Sequence, residues 1–476
     1  MDGRKTLGRL HRDGYHVDHR TLTQDNQFPS EPVLVEPGVV QRLGRGYSGR
    51  ISKDGAIMLA RTLRLFVLIV GLAAGLGEDI FALAQSATSF RITIDQAMWA
   101  KWGFQYPATY VFRVEGVSPN WEARWRDRPT APWTALDKKT SADFYNGIEC
   151  ARLDQQSGRL LVSLGFHGTN VLELAISGIS RATFDSVSRY YDNRKCAYTL
   201  SLDNWGCNAR AHPGAPWRGT TCDESDNYQA ALHVCRSFHL PASIAINSRS
   251  AGGEAVWKTM QEELDRRDAS WEPAVHGWTH PKDRQTYLIH GYRQEILGCR
   301  EDILRRLRHI PYGQYVFEHI LTTGYVDETI LATDAGEFLF VRGFNWLDNP
   351  QSTDFAPWNK RYGFYGVGGL NTKGYDRWLE RREPKGRYYA ADVAELNQAF
   401  DKVHRSGGIF YALWHPDRFN NSVLYDPRPG IDGVQGSTLM HHLAHVANRK
   451  DVWYVANGWM YSYRYVAENV RVSPGQ

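Results

Sequence analysis

None of the six cysteines of this chain stands in CxxC spacing, which argues against a structural zinc ribbon or a thioredoxin-like redox site. An excess of charge of one sign is also missing. Lys and Arg number 56 against 52 Asp and Glu, spread along the chain with a net charge of +4, so there is no nucleic-acid footprint. The apolar run from Leu65 to Gly77 ends at Glu78 and Asp79 and falls short of the roughly 20 residues a transmembrane helix needs, so no stable membrane anchor is expected. The sequence holds no internal repeat and no low-complexity tract.

Aromatic residues are abundant. They make up 13% of 476 residues, with 16 Trp and 25 Tyr, a content that suits stacking against sugar rings as well as core packing. The rest is ordinary: 42% hydrophobic and 23% charged residues, on a chain long enough for two domains. Residues 58–86 read as a secretory signal, with Arg61 and Arg64 before the apolar run and the small-x-small site Ala82-Leu83-Ala84 after it. The product is therefore expected outside the cytoplasm: secreted, periplasmic or at the cell surface. Residues 1–57 are polar and unlike a signal n-region; they read as lying upstream of the true start, with a disordered extension as the rival. In an exported chain the even cysteine set permits disulfides without requiring them, and Cys207 with Cys222 is the first candidate pair.

Residues 89–180 carry short segments of period-two alternation broken by turn residues, such as TYVFRVEG and NVLELAISG, and predict a small antiparallel β-sandwich-like domain. From 181 to 476 the rhythm changes to short apolar strands alternating with helices, the signature of a parallel α/β sheet or barrel. Active sites of such architectures lie at the carboxyl ends of the strands. Three strand ends then stand out: CAYTLSL runs into Asp203 and Asn204, EPAV into His276, and GIFYALW into His415. In VHGWTH, His276 and His280 are four residues apart, and two imidazoles at such spacing suit a zinc-type divalent metal. A second HxxxH, His441 and His445, falls within a helical stretch beside His442 and reads as a packed or solvated helix face.

SLDNWG at 201–206, HGWTH at 276–280 and ALWH at 412–415 together resemble, in that order, the motifs of the polysaccharide deacetylases of carbohydrate esterase family four. The resemblance covers roughly residues 181 to 465. It implies a distorted (β/α) barrel and metal-assisted removal of N-acetyl groups from an amino-sugar polymer. It also implies roles: Asp203 as catalytic base, His415 as general acid, and His276, His280 and Asn204 as ligands of zinc, or of cobalt or nickel. Trp205, Trp278, Arg342 and Trp346 are the candidate substrate-binding residues, whereas Trp414, inside a strand, reads as core.

This chain departs from the family pattern at two points. The family's second aspartate is Asn204 here, and an amide oxygen binds a cation more weakly than a carboxylate does. Ile320 stands where the family's base-orienting arginine belongs, ahead of Gly324-Tyr325, and Arg342 is the candidate substitute. Two alternatives to the deacetylase reading follow: a non-catalytic carbohydrate-binding relative of the fold, or a metal-independent amidase of the same superfamily.

Overall fold

The structure is a computed structural model and describes residues 88–140, 148–206, 224–249, 251, 254–266, 271–279, 291, 293–308, 316–318, 338–342, 353–355, 357–360, 364–365, 390–414, 416 and 438–475. The signal-like segment, the residues before it, and Cys207 and Cys222 lie outside these. Alternating segments of the first part form β1 (Thr88–Thr93), β2 (Ala108–Glu115), β3 (Glu122–Arg126), β4 (Thr134–Ala135), β5 (Asp137–Lys138), β6 (Cys150–Asp154), β7 (Arg159–Leu164), β8 (Val171–Ser177) and β9 (Arg181–Val187). Between β1 and β2 lies helix α1 (Gln96–Trp102), capped by the Asp95 carboxylate, which accepts the Met98 N–H at 3.0 Å.

These strands build two five-stranded sheets, the second in the order β5-β6-β7-β2-β9. The first, β19-β1-β8-β3-β4, takes its outermost strand, β19 (Arg471–Pro474), from the far end of the chain. The apolar rows of the two sheets meet, with Phe90 of β1 against Phe112 of β2 at 4.6 Å between ring centroids. The β-rich part thus runs past residue 180, since β9 completes one sheet and the C-terminal strand the other.

The second part contributes β10 (Cys196–Trp205), α2 (Glu224–Ser237), β11 (Ala242–Asn247), α3 (Glu254–Leu264), β12 (Trp271–Gly277), a π turn (Gln294–Gly298) running into α4 (Cys299–Arg306), β13 (Val316–Glu318) and β14 (Phe340–Arg342). It continues with β15 (Trp358–Asn359), β16 (Phe364–Tyr365), α5 (Ala390–Ser406), β17 (Ile409–Trp414), α6 (Thr438–Val446), β18 (Val452–Tyr454) and α7 (Asn457–Asn469). The strands form one sheet in the order β15-β16-β14-β13-β12-β11-β10-β17, parallel except for the β15–β16 pair. β10 pairs with β17 over Ala197–Leu202, with β18 over Cys196–Tyr198 and with β11 over Ser201–Trp205. Mixed α/β architecture with several sheets is what the sequence rhythm predicts.

Strand alternation divides this sheet into two faces. Tyr198, Leu200 and Leu202 of β10, Ile244 and Ile246 of β11 and Val275 of β12 pack with α2 to α6 in one core. Ala197, Ala274, Tyr411 and Leu413 belong to a second core, shared with α7 and the two antiparallel sheets. α7 is buried nearly all round because it is wedged between these layers: Tyr461 stacks on Phe340 at 3.8 Å, and Tyr465 stacks on Phe104 at 5.1 Å. Much of the aromatic surplus is spent here and under the helices, with Trp102, Trp205, Trp414 and Trp453 fully buried. The antiparallel layer is also held by Asp192, buried between Arg152 at 2.7 Å and Arg194 at 3.1 Å.

On the α7 side of the sheet the alternating positions are polar. Thr199 donates to Asn457 Oδ1 at 2.6 Å, and the Asn457 side chain donates to Ser201 at 3.0 Å. Ser243 and the Gly458 N–H both donate to Glu272 Oε1, while buried Glu272 Oε2 has no hydrogen-bond partner within ordinary geometry among the described residues. Burial pushes the Glu272 carboxyl up from 4.5 to about 7, against the hydrogen bonds from Gly458 and Ser243. Because the folded value lies above the unfolded one, the folded state holds the extra proton, and stability falls as pH rises between about 4.5 and about 7. Glu272→Gln, which keeps the shape of the neutral acid, should lack this loss and gain about 3 kcal/mol on wild type between pH 4.5 and pH 8. Denaturant unfolding at both pH values checks this, and parallel pH dependences for the two proteins would refute it.

Candidate active site

Asp203 of β10 and His276 of β12 occupy the same face as the polar row below them, two positions beyond Ser201 and four beyond Glu272. Both are about 3% exposed, and Asp203 Oδ2 lies 3.9 Å from His276 Nε2 across the intervening strand β11. Tyr228 of α2 donates a short hydrogen bond to the Asp203 backbone oxygen, fixing the strand end against the helix layer. The structure thus brings together two of the residues singled out from sequence.

Asn204 follows with φ +76, a left-handed conformation that asparagine tolerates better than most residues, and the β10–β11 register shifts between Leu202 and Trp205. This irregularity breaks the alternation. Trp205, which would otherwise follow Asp203 onto the α7 side, joins the helix-side core instead and stacks on Tyr228 at 4.9 Å with an interplanar angle of 4°. The expectation that Trp205 forms a sugar platform is therefore corrected: it is 0% exposed. Gly277 repeats the device on β12 with φ +118, and Trp278 packs half-buried against the helix-side core beneath the Arg249 guanidinium, 4.3 Å from its ring. Trp278 sits at the rim rather than in the Asp203–His276 row. Trp414 is a core residue, as its place in a strand suggests.

Asn204 Oδ1 is buried and has no hydrogen-bond partner among the described residues. Asn247, at the end of β11, donates its amide to the Gly277 carbonyl at 3.3 Å and leaves its own Oδ1 equally unpartnered. Sequence reasoning missed Asn247; its signal was a polar residue closing the apolar strand ASIAIN. Buried acceptors of this kind require a donor or a cation. By donor type, the His276 imidazole and the Asn204 amide oxygen would suit a zinc-type ion, with the Asp203 carboxylate 3.9 Å from His276. Among the described residues there is no group of three His, Cys, Asp or Glu that could hold a metal ion.

His280, His415 and Trp346 lie outside the described residues. Arg342 closes β14, paired with Glu318 one position beyond the level of Val275, which places its backbone level with His276 with β13 between them. In the second HxxxH, His441 and His445 are half-buried on the helix, with His445 pairing with Asp401 at 3.1 Å, while the neighbouring His442 is wholly buried against Asn397. Cys150, Cys196, Cys235 and Cys299 are buried free thiols.

No protein-family model matches the chain, and no curated protein does. Deacetylases recur among the solved structures it is similar to. A polysaccharide deacetylase from Mycobacterium smegmatis is 14% identical, with 60% of this chain and 96% of that one covered at a TM-score of 0.43. The chitin deacetylase of the fungal pathogen Colletotrichum lindemuthianum is 12% identical, with 56% and 87% covered at a TM-score of 0.32. A carbohydrate esterase family 4 pseudoenzyme from Bacillus anthracis is 13% identical, with 50% and 60% covered at a TM-score of 0.28.

Gly206 makes the turn after Asn204 feasible. Its φ is +90, and a Cβ there would come within 2.7 Å of Ala251 Cα and 2.8 Å of the Asn247 carbonyl oxygen. Gly206→Ala should cost about 3 kcal/mol, from the disfavoured backbone and the clash with main-chain atoms. A melting temperature equal to wild type would show that the turn is not built this way.

Proposed function

We propose that the chain is an exported, metal-dependent hydrolase that removes N-acetyl groups from an amino-sugar polysaccharide, with its parallel sheet a distorted deacetylase-type barrel and its two antiparallel sheets a β-sandwich. The observation that carries this reading is the buried Asp203–His276 pair, 3.9 Å apart across β11 at the carboxyl ends of their strands, with Asn204, whose buried Oδ1 has no hydrogen-bond partner among the described residues, next to Asp203 in the chain. Burying a carboxylate and an imidazole together at strand ends is costly, which favours a chemical role for the pair.

His276, Asn204 and His280 would hold the ion, zinc or alternatively cobalt or nickel. When bound, it supplies Lewis acidity toward the acetyl carbonyl and its attacking water. Asp203 takes the proton of that water as its oxygen adds to the acetyl carbon. His415 gives a proton to the nitrogen as the C–N bond breaks, releasing acetate and a free amine. Burial of Asp203 keeps bulk water from competing for that proton.

Asn204 is also the observation that favours a second reading. An amide where the family has a carboxylate weakens the ion's hold and suits a carbohydrate-binding protein that has lost turnover. Acetate release from N-acetylglucosamine oligomers separates the two, and Asp203→Ala should lower it at least 1000-fold, on the order expected for loss of a general base together with its charge. Activity that survives this substitution removes Asp203 from the mechanism. Asn204→Asp should tighten zinc at least tenfold in a titration on the full chain. Unchanged affinity would take Asn204 out of the donor set.

A further inference from the structure

The segment between the two histidines of HGWTH is gripped by a group that no motif predicts. Glu295 lies on the π turn and is 0% exposed. Its Oε1 accepts the Thr279 hydroxyl at 2.5 Å, its Oε2 accepts the Thr279 N–H at 2.9 Å, and its backbone carbonyl accepts the Trp278 N–H at 2.8 Å. One residue thus binds the two successive residues that lead from His276 to His280. A π turn inserts an extra residue into a helix and re-aims the side chains there, and such turns concentrate at functional sites. The base of this one is firm. Ile296 and Leu297 are buried in the helix-side core, the Cys299 thiol reaches the Ile246 carbonyl at 3.3 Å, and Asp302 accepts the Ser248 hydroxyl at 2.9 Å.

We propose that Glu295 is a positioning residue for the metal site, a buried carboxylate clasp that sets the backbone path from His276 towards His280. The proposal rests on the metal reading above. A carboxylate withdrawn from water is tolerable only where strong donors meet it, and here each oxygen accepts a bond from Thr279. Two acceptors are needed, one for a hydroxyl and one for an N–H. Glutamine keeps the size and supplies only one, so Glu295→Gln sets an NH2 group against one of the Thr279 donors. Thr279→Val removes the hydroxyl bond alone, and Thr279→Ser retains it.

Zinc affinity of the full chain, measured by competition with a chelating indicator, tests this without reference to turnover. Glu295→Gln should weaken zinc by about 10- to 100-fold, the range seen when groups that orient ligands are removed. Thr279→Val should weaken it less, and Thr279→Ser should match wild type. A folded Glu295→Gln protein that binds zinc like wild type overturns the clasp while leaving the metal reading intact. Should Glu295→Gln fail to fold, Thr279→Val against Thr279→Ser decides: equal affinities overturn the proposal, and a loss restored by serine supports it. Wild type that binds neither zinc, cobalt nor nickel overturns the metal reading, and the clasp with it.

Discussion

Everything about this site depends on a polar row inside a parallel sheet. Thr199, Ser201 and Asp203 on β10, Ser243 and Asn247 on β11, and Glu272 and His276 on β12 are buried and alternate with apolar residues facing the helices. Buried polar groups must find partners, and they find them differently along the strands. At the lower level the amino end of α7 answers them through Asn457 and Gly458. At the carboxyl ends Asn204 Oδ1 and Asn247 Oδ1 have no donor among the described residues. Acceptors without a donor among the described residues, at the end where parallel α/β folds bind their ligands, are the physical reason to propose chemistry there.

The same row explains why α7 carries so many aromatic rings. Its first turn must bring polar groups to the strands, while its later turns fill the gap between the parallel sheet and the antiparallel layer. Trp459, Tyr461, Tyr463 and Tyr465 do this filling, and Tyr463 also bonds to Ser188 in the segment that joins the layers. Large rings suit the task because one helix must span the gap alone. The antiparallel layer is therefore part of what holds the floor of the site, apart from any role in meeting substrate.

Strand ends were legible from sequence because apolar strands ending in Asp, Asn and His are rare enough in series to stand out. Side-chain direction beyond them was not. Alternation read from the sequence sends Trp205 and Trp278 to the same face as Asp203 and His276, yet Asn204 and Gly277 take positive φ and return both rings to the helix side. A glycine hints at such a break; an asparagine hides it. Glu295 was illegible for a related reason. A helical period places residues by 3.6, and a π turn violates that period where the carboxylate points. The polar row itself was in plain view as Thr, Ser and Asp at alternate positions, but alternation of that kind reads first as a solvent face. Only β19 returning to pair with β1, and α7 covering the sheet, make that face an interior.

If the proposed ion binds at this site, charge decides what Asn204 does to the chemistry. In a site of low dielectric a dication is favoured by each formal negative charge beside it, and Asp203 supplies one. With neutral imidazoles and an amide as the other donors, one positive charge would stay uncompensated. A second carboxylate would cancel it and raise affinity. It would also soften the ion, since negative charge donated by ligands reduces the pull left for a carbonyl oxygen or a water proton. On the metal reading the amide would exchange retention for acidity, provided the ion is held in place by other means. That condition gives the clasp on Thr279 its weight: where the donor set is weak in charge, the fixed geometry of its histidines must carry more of the binding.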